Sequence, residues 1–236
     1  MPVIIEQKFW GICGFVSVLN GLRAAGLITK WTGPQQWGDM PLEEIQTRLY
    51  AEIVAYLNYL IFTESPLVAQ IEKISENLKP KGEPSRTLKE VVAFIKGQLR
   101  TIARSRNAEG VKLMQIQGLI EKDGVNGVTV AMTPDALVDY MKWAGVVNAA
   151  NANVEVMANT SENLLTYKNS VIGIGTGGGI FKSYNGLEHW IYVDKNGVLN
   201  NWGATENLTG VKNALTLFGK NAGDWATKIT HVIRMG

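Results

Sequence analysis

Cys13 is the only cysteine in a chain of 236 residues, and it stands between Gly11 and Gly14 where an apolar helical run begins. A helix start offers unpaired N–H groups and the positive end of the dipole, both of which favour a thiolate over a thiol. The two glycines allow other backbone, or a substrate, to come close. A thiolate nucleophile needs a proton acceptor, and the chain holds two histidines. His189 opens a strand-like run, "HWIYVD", whereas His231 sits between Thr230 and Val232 in "KITHVIRM" with no catalytic companion and reads as structural.

The imidazole in turn needs an orienting group. With "DKNG" (Asp194 to Gly197) as a four-residue loop, Val193 faces Val198 and His189 faces Trp202. Asn200 then shares the face of His189, because side chains alternate along a strand. A loop of odd length would bring Asn201 to that face instead. The backbone N–H of Cys13 and the side-chain amide of Gln7, six residues upstream, supply the two donors of an oxyanion hole.

The elements that must carry these residues can be read from periodicity. Ile12 to Ala25 is a helix with Phe15, Val16, Val18, Leu19 and Leu22 on its buried side, ended by Gly26. Leu42 to Phe62, Leu67 to Leu78 and Thr87 to Arg104 are three further amphipathic helices, the last capped by Ser85. Past Gly110 the pattern turns to strands at 111–120 and 125–132. A helix follows over "TPDALVDYMKWAG", with Thr133 as N-cap, Pro134 in the first turn and Gly145 at the end. Val154 to Met157 is a short strand and Ser161 to Tyr167 a short helix. "SVIGIG", "HWIYVD", "GVLNNWG" and the final "TKITHVIRM" complete an antiparallel set. Helices first and a sheet later is an α+β pattern.

Gln7, Cys13 six residues on at a helix start, a distant His189 on a strand, and "NNWG" (Asn200 to Gly203) together resemble the papain-like cysteine peptidase fold. "TPDALVDYMKWAG", "SENLLTY", "SVIGIG" and "HWIYVD" are similar to the bacterial double-glycine leader peptidase-like branch of that fold. The resemblance implies one catalytic domain over residues 1–236, with a helical insertion at about 30–108. It also implies a cysteine-dependent hydrolase of an amide bond, with Cys13 as nucleophile, His189 as base, Asn200 as orienter and Gln7 in the oxyanion hole. Protein or peptide cleavage and glutamine deamidation would use the same groups, as would an NlpC/P60-like peptidoglycan amidase. A papain-like binding module without activity is the remaining alternative. Gly14 stands where papain has Trp, and one cysteine permits no internal disulfide.

Other features carry less. "GIGTGGGIF" (Gly173 to Phe181) lacks the Lys-Ser/Thr and the helix of a phosphate loop. It reads as a hairpin loop, or as a glycine rim around Gly178 on which substrate backbone could lie. Trp190 and Trp202 flank the imidazole as packing or as substrate contacts. A net charge of +2 without a concentrated basic face argues against a nucleic-acid partner, and Lys89, Lys96, Arg100, Arg104 and Arg106 read as a solvated face. Two separated histidines and one cysteine give no metal-ligand spacing, and no cofactor motif is present. Met1 to Gln7 lacks the basic and apolar regions of a signal peptide, and no apolar run is long enough to span a bilayer. Synthesis in the cytoplasm is therefore expected. Export of an effector or toxin by a specialised secretion system is compatible with that.

Overall fold

The computed structural model describes residues 13–24, 26–27, 42–78, 85–106, 130–146, 148–175, 184–201, 204–210 and 228–234. Helices α1 (Cys13–Ala24), α2 (Leu42–Phe62), α3 (Leu67–Leu78), α4 (Leu88–Arg106) and α5 (Pro134–Trp143) precede six strands. These are β1 (Asn153–Thr160), β2 (Ser170–Gly175), β3 (Leu187–Val193), β4 (Val198–Asn201), β5 (Ala204–Asn207) and β6 (Lys228–Arg234). The strands form one sheet in the order β1-β6-β2-β3-β4-β5, every neighbouring pair antiparallel. The α+β expectation holds at this level.

Local chemistry accounts for the helix ends. Thr133 accepts a hydrogen bond from the Ala136 N–H, Pro134 occupies the first turn, and Gly145 takes φ +72° after the last turn. Gly26, at φ +71°, follows α1 in the same way. The cap of α4 is Thr87 rather than Ser85. Thr87 Oγ1 accepts from the Glu90 N–H, and the Glu90 carboxylate accepts from the Thr87 N–H at 2.7 Å, a reciprocal capping box.

The central strands of the sheet are buried on both sides. β2 lies in its middle and all six residues are buried, as befits a strand covered on both faces. One face carries Val171, Trp190, Tyr192 and Ile233 against α1 and α5, and that core continues into α2 and α4 through Ile53, Tyr56, Leu57, Val91 and Ile95. The other face gathers Ile172, Ile174, Ile191, Val193, Leu199 and Val232 under Leu164, Tyr167 and Leu208. Two glycines of "SVIGIG" are needed for close approach. A Cβ on Gly173 would stand 2.7 Å from the Leu187 side chain, and one on Gly175 would stand 1.7 Å from the Gly186 carbonyl oxygen. Leu164–Tyr167 is a single 3-10 turn rather than a longer helix, and β5 is a strand beyond the expected run, which ends at Gly203. Residues 130–132 are buried but belong to no strand, and the rest of the two strands expected over 111–132 lies outside the described residues.

Candidate active site

The hairpin between β3 and β4 decides which side chain meets His189. Asp194 N–H donates to Val198 O and Gly197 N–H to Asp194 O, both at 3.0 Å, while Asp194 Oδ1 accepts from the N–H groups of Asn196 and Val198. Gly197 takes φ +84°. This is a three-residue loop, Lys195 to Gly197, built on a tight turn with a left-handed glycine. Val193 therefore faces Leu199, and Tyr192 faces Asn200. The register differs by one residue from the four-residue reading, and a one-residue shift exchanges the faces. Asn200 falls on the side of Tyr192, away from His189, and Asn201 takes the position expected of Asn200.

Asn201 Oδ1 lies 2.7 Å from His189 Nε2. An amide oxygen only accepts, so Nε2 carries the proton and, in the neutral ring, Nδ1 carries the lone pair. His189 is 3% exposed, and burial lowers its pKa from 6.5 to about 4 despite the opposing pull of the Asn201 bond. The resting imidazole is neutral at physiological pH.

Cys13 is the first residue of α1 and is buried. The thiol pKa was expected to fall at this helix start; instead it is raised to about 11, because desolvation outweighs the hydrogen bonds from the backbone of Trp190, Gly14 and Cys13 itself. Trp190 is the residue that follows His189, so the thiol sits against the strand at the next residue along from the imidazole. One helical turn further on, Ser17 Oγ donates to the Trp190 carbonyl oxygen at 2.7 Å. Cys13 and Ser17 thus hold the backbone of a single residue of β3, beyond the Tyr192–Asn200 pairing with β4.

The structure gives Trp190 a packing position rather than a substrate contact. It is 1% exposed, its Nε1 donates to the Met132 carbonyl oxygen at 2.9 Å, and its ring lies beside Gly14. His231 is buried as well, with Nδ1 3.1 Å from Thr230 Oγ1 and its ring 6.2 Å from that of Trp190. Gln7, Gly11, Gly178 and Trp202 lie outside the described residues. Ser17 went unremarked in the sequence, although its spacing of four from Cys13 places the two on one helix face.

Among the described residues no group of three or more His, Cys, Asp or Glu side chains could hold a metal ion, and no helix is long and apolar enough to cross a membrane. No protein-family model, curated protein or solved structure matches this chain.

Proposed function

We propose that the protein is a cysteine-dependent hydrolase of an amide bond in a protein or peptide, built on a papain-like arrangement. The observation that carries this reading is the His189–Asn201 pair, one residue along β3 from the backbone held by Cys13. In the reaction Nδ1 of His189 takes the thiol proton as Cys13 attacks the carbonyl carbon, and the imidazolium then returns that proton to the leaving nitrogen. Asn201 holds Nε2–H throughout and keeps the ring in the tautomer the first step needs. The backbone N–H groups of Cys13, Gly14 and Trp190, which already favour negative charge on sulfur, surround the reacting atom. Water resolves the acyl-enzyme and releases the acid. Both groups start neutral, so the thiolate forms on substrate binding rather than standing ready as an ion pair.

A degenerate peptide library, incubated with the protein and read by mass spectrometry, tests this reading. Cleaved chains mark a peptidase and the mass gain of glutamine deamidation marks a deamidase. Either product must vanish in Cys13→Ala and in His189→Ala. Identical spectra for the parent and Cys13→Ala would contradict the proposal, and release of stem peptides from purified cell wall would move it to the amidase class.

One observation favours a second reading, a binding module of the same fold without activity. Burial raises the Cys13 thiol to about 11 and lowers the His189 imidazole to about 4, and so holds both groups uncharged. Absence of any Cys13-dependent product would support that reading.

A further inference from the structure

The Trp190 backbone is gripped twice by one face of α1. Its carbonyl oxygen accepts from Ser17 Oγ at 2.7 Å, and its N–H lies against the Cys13 thiol. In an antiparallel sheet the N–H and C=O of one residue point to the same side of the strand. Tyr192, two residues on, directs its pair toward Asn200 of β4, so Trp190 directs its own pair toward the β4 side as well. There the helix stands in for a neighbouring strand. Ser17 is 3% exposed, so its hydroxyl is held dry against a buried acceptor.

We infer that Ser17 is a positioning residue, whose hydroxyl fixes α1 on β3 so that the Cys13 sulfur stays on the Trp190 N–H. The inference rests on the proposed reaction for its consequence in catalysis, but its geometric content stands apart from activity. A displacement of the thiol by even 1 Å costs up to about 100-fold in a reaction that depends on near-attack geometry. Without the Ser17 bond, α1 keeps its apolar packing through Phe15, Val18 and Leu19. It loses the side-chain hydrogen bond that ties it to the β3 backbone one turn beyond the thiol.

The test compares Ser17→Ala, and the isosteric pair Ser17→Thr and Ser17→Val, with the parent. Near-ultraviolet circular dichroism establishes the native fold of each protein. Two quantities are read: the thiol pKa, from thiolate absorbance against pH, and the rate of Cys13 alkylation by iodoacetamide across the same pH range. Ser17→Ala and Ser17→Val should show a higher thiol pKa and alkylation about 10- to 100-fold slower, while Ser17→Thr, which keeps the hydroxyl, stays close to the parent. Parent-like pKa and rates in Ser17→Ala, or equal changes in Ser17→Thr and Ser17→Val, would overturn the inference by assigning Ser17 to packing alone. His189→Ala separates the two claims. If it leaves the parent's alkylation unchanged, the proposed hydrolase falls, while the thiol pKa in the Ser17 variants still decides the role of Ser17.

Discussion

Asn201 Oδ1 stands 2.7 Å from Nε2 of His189, twelve residues earlier in the chain and on the adjacent strand. The contact is diagonal across an antiparallel pair, within reach of an asparagine and an imidazole. It exists because the loop Lys195 to Gly197 has three residues. Asn201→Ala should lower the His189-dependent alkylation of Cys13 by about tenfold or more, since the imidazole loses the group that fixes its tautomer and orientation. Asn200→Ala, on the side of Tyr192, should leave that rate close to the parent's. Equal losses in the two variants, measured side by side, would remove Asn201 from its role.

Acid should destabilise the fold through its two buried histidines. Both have pKa values lowered by burial from 6.5 to about 4. The unfolded chain therefore binds protons first as pH falls. The stabilisation is complete above about pH 6.5 and is lost as pH falls through about 4, to the extent of roughly 3 kcal/mol per histidine. Cys13 acts at the other end, because its raised pKa contributes stability below pH 9.0 that is lost as pH rises through about 11. Urea unfolding at pH 7, 5.5 and 4.5 checks the acid limb, and His231→Gln should flatten it by about half. A stability that does not change between pH 7 and 4.5 would contradict this.

Gly14 allows α1 to lie close on Trp190. A Cβ there would sit 3.0 Å from Met132 Cβ and Cγ and 3.4 Å from the Trp190 ring. Gly14→Ala should cost about 1–3 kcal/mol by overpacking. Gly175→Ala, where the obstacle is the Gly186 backbone oxygen at 1.7 Å, should cost more than Gly14→Ala, because the end of a side chain yields more readily than backbone. Thermal midpoints of the two variants give the order.

Tyr140 is completely buried between α2 and the sheet core, and its hydroxyl has no hydrogen-bond partner among the described residues. Burial, with the Glu52 charge adding to it, raises its pKa well above 10. An unmade bond of this kind costs about 1–3 kcal/mol. Tyr140→Phe should therefore be neutral or stabilising by about 1 kcal/mol while keeping the edge contact with Phe15 at 4.8 Å. A clear loss of stability in urea unfolding would show that the hydroxyl has a partner.

Much of this architecture was legible in the sequence because it follows from periodicity and caps. The α1 run from Cys13, the Thr133–Pro134 start of α5, the Gly26 and Gly145 ends and the strands Ser170–Gly175 and Lys228–Arg234 stand where the pattern put them. The orienting asparagine was not resolved because it depends on loop parity. "DKNG" suits a two-, three- or four-residue connection, and the Asp194 carboxylate, by accepting from two backbone N–H groups, decides for three. The state of the thiol depends on a different kind of information. A helix start is visible in sequence, but the burial that overrides it arises from tertiary packing around α1. The Ser17 bond spans 173 positions, and no local pattern announces it.

The central claim is that Cys13 is a nucleophile served by His189. Its most direct test is the pH dependence of Cys13 alkylation by iodoacetamide in the parent and in His189→Ala. The account predicts that the parent reacts at pH 7 about tenfold faster than the variant or more, and that the variant gains speed only as pH rises toward the thiol's own value of about 11. Equal rates in the two proteins across the range, or no reaction in either until unfolding, would make Cys13 a packing residue and end the hydrolase reading.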